Sequence, residues 1–417
     1  MTDSRSRPPA SRRTLAAAGL VVIAGTLAAI AWNRAIGLRR ALAALVDGTA
    51  SSVGDPLPSV VAAERLGAAW QAPIYDDFSS VGSSFVYPPI AALPYTLVVS
   101  DDAAAVHAGL VWMSRIAFVL CLLCVYVLAG ANVRRRSVVV AFVAWSGLTF
   151  FPLLRAVQLN QASLLVAVCI GASACLVARG KVAAAGAVCA LAAAFKPQLA
   201  VVPLLAAACS RPFARSALVT LAVAGLASLV YGGIHNHWRY LSVVLPQLAE
   251  GYAFYPNQSW SAFFLRLGGA SPLEFELATA APWVGTASLL AAGAMVVAGA
   301  FVLLRSARRS AASEQLPLAV LFAWQVATLA SPISWEHHYV PALFVLAWLL
   351  GEALAGRASR TTILCAAFAA PAIAGFVDVR GWSHGPVAVI GSSYVLWGGL
   401  LLAIASSTHL LRRPTAE

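Results

Sequence analysis

The sequence predicts an all-α polytopic membrane protein: one integral membrane domain over residues 1–417, about 12 transmembrane helices, N- and C-termini cytoplasmic. Three observations carry this. Hydrophobic residues make up 60% of the chain and charged residues only 11%, where soluble domains carry about 25% charge; mean hydropathy is +0.81. Apolar runs approaching the roughly 20 residues of a span recur at 14–32, 107–130, 137–154, 161–178, 182–195, 197–210, 216–234, 284–304, 316–332, 339–355, 361–378 and 386–406. Lysine and arginine gather in every second connecting segment, as the positive-inside bias requires.

The elements follow in order. A basic tail, 1–13, precedes the run Thr14–Trp32. Its layout is like a signal peptide, but it is long enough to span and Ile30-Ala-Trp32 is a poor cleavage context. It is expected to stay as the first helix. Runs 182–195 and 197–210 are short. They form either two stubby helices or one bent element around Lys196-Pro197, because proline removes a backbone donor. The alanine-rich run 182–194 suits close helix packing. Arg5, Arg7, Arg12, Arg13, Arg134, Arg135, Arg136, Arg179, Lys181, Arg211, Arg215, Arg305, Arg308, Arg309, Arg357, Arg360, Arg412 and Arg413 all fall on one side in this arrangement, which makes that side cytoplasmic. The net charge of +12 therefore belongs to membrane loops and excludes a nucleic-acid partner. The seven cysteines sit in or at the ends of apolar runs, as small core residues without a disulfide or metal framework.

The opposite side receives the long aromatic loops. The first outer loop, 33–106, holds Asp55, Asp76 and Asp77; a short one holds Arg155, Gln158 and Asn160; loop 235–283 holds His235, His237, Asn257 and Gln258. The fourth contains Ser331-Pro-Ile-Ser-Trp-Glu-His-His-Tyr339, and the fifth Asp378, Arg380, Trp382 and His384. A cytoplasmic tail, 407–417, closes the chain. A carboxylate and two histidines between two apolar runs are costly at membrane depth, so the Glu336-His337-His338 knot lies at an interface or does chemistry. Chemistry on the outer face has no access to nucleotide sugars. A transferase there draws its donor from the membrane, and a lipid-linked phosphate fits. It needs a carboxylate base, cations or donors for the departing phosphate, and a groove for the tail.

Individual residues carry two readings each. Lys196 either snorkels to the interface or lines a cavity and holds the donor phosphate, as a lysine beside a broken membrane helix does. Arg155 either anchors its span or takes a phosphate bidentately. Gln158 and Asn160 either cap the next helix or contact sugar. Glu336 orients a histidine or pairs with Arg155 or Arg239. His337 and His338 diverge by about 100° on a helix, so one reaches the phosphate and the other packs, with His337 slightly favoured. Asp101-Asp102 looks like a cap for the second span, Tyr87-Pro-Pro89 like a rigid turn, and Tyr252, Tyr255 and Trp260 like an interfacial belt. No His-x-x-x-His and no Asp-x-Asp pair is present, so no metal and no cofactor are expected.

The order of several motifs is specific. Asp55 is followed by Tyr75, Phe85-Val-Tyr-Pro-Pro89, Gln158-Leu-Asn160, Lys196-Pro197, Asn257-Gln-Ser259 and Ser331–His338. This resembles the GT-C glycosyltransferases of family 87, which include polyprenyl-phosphomannose-dependent α-mannosyltransferases of actinobacteria. The resemblance spans about residues 14–405, with Pro56 and Pro58 as departures beside Asp55. It implies a GT-C glycosyltransferase fold and inverting transfer from a polyprenyl-phosphate sugar on the outer face of the plasma membrane. It makes Asp55 the catalytic base, with Asp76 and Asp77 as rivals or acceptor-binding groups. Lys196, His337, His338 and Arg155 would hold the donor phosphate; Gln158, Asn160, Asn257, Gln258 and Glu336 would contact sugar or acceptor. Implied partners are the polyprenyl-phosphate donor, a glycolipid or glycan acceptor, and membrane lipids. Mannose is the first expectation and arabinofuranose the alternative. A secondary transporter or lipid flippase is the competing class. Twelve spans suit it, but transporters place polar groups at the midplane of broken helices and show repeated halves, whereas here they gather on one face.

Overall fold

The computed structural model of the chain describes residues 43–46, 48, 56–78, 84–131, 136–275, 281–308, 312–375 and 385–412. Asp55, the expected first span 14–32 and the loop residues Asp378 to His384 lie outside the described residues. Among the described residues the structure is helical, and its β-contact is an isolated antiparallel bridge between Asn257 and Trp335.

The helices are α1 (Leu57–Ala68), α2 (Ala103–Gly130), α3 (Arg136–Thr149), α4 (Phe151–Gln158), α5 (Ser163–Ala178), α6 (Val182–Phe195), α7 (Val201–Ala207), α8 (Arg211–Arg239), α9 (Leu245–Glu250), α10 (Trp260–Leu267), α11 (Pro282–Ala307), α12 (Ala312–Ala330), α13 (Ala342–Leu354), α14 (Arg360–Ala374), α15 (Pro386–Ser392) and α16 (Tyr394–Leu410). Short 3-10 turns cover Pro89–Leu97, Pro197–Ala200 and Glu336–Tyr339. Within the described residues, every apolar run expected to span beyond residue 106 is largely helical. By length and apolarity α2, the Arg211–Glu250 stretch and α11 qualify as spans. The bent pairs α3–α4 (48°) and α15–α16 (60°) bring the number to five among the described residues. α5, α6, the Pro197–Ala207 stretch and α14 are apolar but shorter.

The breaks have local causes. Pro152 sits in the first turn of α4, where its missing N–H costs nothing. Lys196 precedes Pro197 and is therefore extended (φ −129°, ψ 95°), which ends α6 and turns the lysine out of the helix. Asp102 caps α2 by accepting from the Ala104 amide, as expected from Asp101-Asp102. α8 is interrupted at Gly233 (φ 73°), a backbone state that favours glycine.

α12 and α13 lie at the centre of the bundle with almost every side chain buried. Small residues let neighbours approach: a Cβ on Gly186 of α6 would lie 2.2 Å from the Phe213 carbonyl oxygen of α8. The outer faces of α8 and α11 expose Leu218, Val223, Leu226, Leu289, Leu290 and Val297. Contiguous apolar faces on long helices match lipid rather than water.

The connecting segments sort to two ends. Lys196 meets His338, and Gln258 meets Ser334 and Ser392, all from loops or helix ends expected on one side. Arg357, Glu352, His409 and Arg412, expected near the other side, meet one another.

Candidate active site

The site forms where α4, the α6–α7 break and the Glu336–Tyr339 turn converge. Its frame is the Asn257-Gln-Ser259 motif. The Asn257 side chain donates to the Tyr252 carbonyl (2.9 Å) and accepts from the Ser334 amide (2.9 Å). The Gln258 side chain donates to the carbonyls of Tyr255 (2.6 Å) and Ser392 (2.7 Å) and accepts from the Val395 amide (3.1 Å). The Ser259 hydroxyl donates to the Pro332 carbonyl and caps α10. The Glu336 amide donates to the Pro256 carbonyl, and Tyr339 to the Gln258 carbonyl. Behind this, Arg266 is 3% exposed and donates to the Ala253 and Asn257 carbonyls and the Ser393 hydroxyl. The expected sugar contacts Asn257 and Gln258 are thus fully buried clamps that fix the polar knot in place.

A second frame presents Tyr87. Pro89 packs directly on Gly232 of α8. Tyr75 is fully buried against Phe85 and Tyr240 and donates its hydroxyl to the Tyr87 carbonyl. Tyr87 follows with its ring centroid 5.8 Å from Lys196 Nζ, within cation–π reach.

Between these frames stand the cations. Lys196 is 5% exposed, and its Nζ lies 2.7 Å from His338 Nε2. His338 is also hydrogen-bonded at the Ile333 carbonyl. The His337 and His338 rings, carried on a 3-10 turn rather than an α-helix, are perpendicular and in edge contact, centroids 4.8 Å apart; His338, rather than the slightly favoured His337, is the one on the lysine. Burial, then the charge of Lys196, holds both imidazoles well below the usual histidine range. Both rings are neutral near pH 7. Arg155 donates to Gln158 Oε1 (2.8 Å), so these two residues meet each other at the end of α4. Arg155 is also near enough to oppose the charging of His337 and to favour the anion of Glu336. Burial nevertheless pushes Glu336 up to about 7, against the hydrogen bond it accepts from the Tyr394 hydroxyl (2.8 Å). Among the described residues no carboxylate forms an ion pair with Lys196 or Arg155.

The other expected residues sit elsewhere. Asn160 turns the chain between α4 and α5 with φ 48° and is buried. Asp76 pairs with His235 (3.2 Å) and Arg239 (3.7 Å), and Asp77 with Arg65 (2.9 Å), on an exposed surface. Arg239 is therefore not the partner of Glu336. Tyr252 is buried in a ring cluster with Phe275 and Trp335 rather than lying in a belt. Sequence reading missed Tyr394, a lone tyrosine at the head of an apolar run, and Arg266. The partner of Tyr394 lies 58 residues away, and Arg266, besides two nearby carbonyls, reaches Ser393 at a distance of 127 residues.

Long apolar helices, with a buried lysine–histidine cluster at one end, mark a helical membrane protein. The chain matches glycosyltransferase family 87 over residues 85–332, more than half its length, and belongs to that family. It is a glycosyltransferase that takes a sugar donor and an acceptor. Searches of curated proteins and of solved structures gave no match.

Proposed function

We propose that the protein is an inverting GT-C transferase that moves a sugar, mannose first, from a polyprenyl-phosphate donor to a glycolipid or glycan on the outer face of the plasma membrane. The observation that carries this is the Lys196–His338 contact, with Arg155 close by. Lys196 is buried, which lowers its pKa to about 7; it and the half-buried Arg155 hydrogen-bond neutral groups, and Glu336 lies near Arg155 without an ion pair. A phosphate supplies the missing charge, and charge-assisted hydrogen bonds to it are the strong kind. A polyprenyl-phosphate sugar brings that phosphate to the membrane surface on a tail that stays in lipid.

In this reading Asp55 takes the proton of an acceptor hydroxyl. The oxygen forms a bond to the anomeric carbon of a β-linked donor as the bond from that carbon to the phosphate oxygen breaks. The electron pair leaves with polyprenyl phosphate, held by Lys196, His338, His337 and Arg155, and an α-glycoside results. Asp76 is engaged by His235 and Arg239 and Asp77 by Arg65 on an exposed surface, which leaves Asp55 as the first choice of base. The reading takes twelve spans with cytoplasmic termini, an arrangement in which all these groups would face outside the cell. No metal is called on in this reading.

The test is transfer from radiolabelled polyprenyl-phosphomannose to membrane glycolipids by purified protein, wild type beside Asp55→Asn. Product from wild type and none from a folded Asp55→Asn supports both class and base. Activity retained in the variant moves the base to Asp76 or Asp77. A wild type inert with polyprenyl-phosphomannose and active with polyprenyl-phosphoarabinose changes the sugar; one inert with both removes the reading.

A further inference from the structure

A cleft opens beside the phosphate cluster, between the start of α5, the α6–α7 break and the end of α12. Its open space, counted out to the mouth, is about 350 Å³. Lys196 and His338 form part of its wall, the exposed Gln198 lies at its edge, and Trp324 and Thr328 of α12, both at least nine-tenths buried, lie along it. Ser163, 4% exposed, also lines it, and its hydroxyl has no hydrogen-bond partner among the described residues. A buried hydroxyl left unpaired costs free energy, and here it borders a space from which a partner can come. The wall offers hydroxyls, an amide and an indole face, and no carboxylate. It suits a neutral polyol and would reject a second cation or a purely apolar chain.

We propose that this cleft is the subsite for the sugar ring of the donor, with the Ser163 hydroxyl as one of its specificity contacts. The inference rests on the reading of Lys196 and His338 as phosphate ligands and deepens it, since a glycosyl phosphate puts its sugar one bond from the phosphorus. Water-sized room in the cleft is about 20 Å³, enough for one or two waters. The ring therefore enters as lining side chains part, and Lys196–His338 is the contact that a phosphate would replace.

Ser163→Ala separates recognition from structure. A hydroxyl with no protein partner has no fold-stabilising hydrogen bond to lose, so Tm should hold or rise. Thr328→Val is the second variant, similar in shape and without the hydroxyl. The measurement is binding to purified protein in detergent of two lipid pairs: polyprenyl phosphate against polyprenyl-phosphomannose, and the same against polyprenyl-phosphoarabinose. The wild type should bind one sugar-bearing lipid more tightly than polyprenyl phosphate. Ser163→Ala should weaken that lipid about five- to tenfold, the worth of one neutral hydrogen bond, and leave polyprenyl phosphate unchanged. If the wild type binds sugar-bearing and bare lipids equally, or if both variants keep the preference, the cleft is a water pocket and the phosphate reading stands alone. If no lipid binds, both fall.

Discussion

Two clusters of acid, histidine and cation close the two ends of the helix bundle, and they are built in opposite ways. At one end Glu352 of α13 accepts from Arg357 Nε (2.9 Å) and lies 3.3 Å from His409 Nε2 of α16, while Arg412 caps the Arg357 carbonyl. The carboxylate there has a guanidinium and an imidazole beside it. At the other end Lys196 has a neutral imidazole, Arg155 a neutral amide, and Glu336 a tyrosine hydroxyl. Residue types alone do not distinguish the clusters; pairing does. A closed network ties helix ends together, whereas cations left with neutral partners keep their affinity for an anion that arrives from outside.

Substitutions can break this contrast. The largest effect is expected at Lys196. Lys196→Met should reduce transfer about a hundredfold, the upper worth of a hydrogen bond to a charged group, with Tm unchanged or raised because a buried cation without an acid partner is removed. Glu352→Gln should leave transfer near wild type. Equal losses of activity in the two variants would erase the distinction between the ends.

Next comes Glu336. Its carboxyl is held at about 7 in the fold against an ordinary value near 4.5, so between these values the folded chain binds more protons than the unfolded one. Stability therefore falls as pH rises from about 4.5 through 7, and the full penalty, about 3 kcal/mol as an upper figure, is present above 7. Glu336→Gln keeps an acceptor for Tyr394 and removes the penalty. Its Tm advantage should be larger at pH 8 than at pH 5; a constant difference would mean the carboxylate is not desolvated.

Smaller effects follow. Glu352→Gln should destabilise the fold by about 2 kcal/mol, less than the loss of a wholly buried pair because Arg357 is half exposed and solvent-screened; chemical or thermal denaturation reads this directly. Gly233→Ala puts a methyl 2.7 Å from the Gln71 side chain at φ 73°. It should cost about 1 kcal/mol and loosen the 71–78 segment, which Asn236 pins through the Ile74 amide and Ala72 carbonyl. Faster proteolysis or amide exchange confined to that segment would show it.

The helical bundle was legible in the sequence because hydrophobic runs and basic clusters are local signals. Lys196-Pro197 was legible for the same reason: a proline fixes the backbone of its predecessor, whatever the tertiary context. Glu336, His337 and His338 stood out as charge between apolar runs. The sequence left open which histidine meets Lys196, because that depends on the 3-10 turn rather than an α-helix. Asn257 and Gln258 looked like ligands by residue type, yet their amides clamp backbone from segments 77 and 134 residues away. Ser163 and Thr328 were invisible, since a hydroxyl in an apolar run is ordinary until a cavity is seen beside it.

The most direct test of the open cation cluster is equilibrium binding of polyprenyl phosphate, without sugar, to purified wild type, Lys196→Met and Glu352→Gln in detergent. The two-ended design predicts wild-type affinity for Glu352→Gln and at least tenfold weaker binding for Lys196→Met, corresponding to about 1.4 kcal/mol or more. Wild-type affinity in a folded Lys196→Met would contradict it and return the lysine to a structural role.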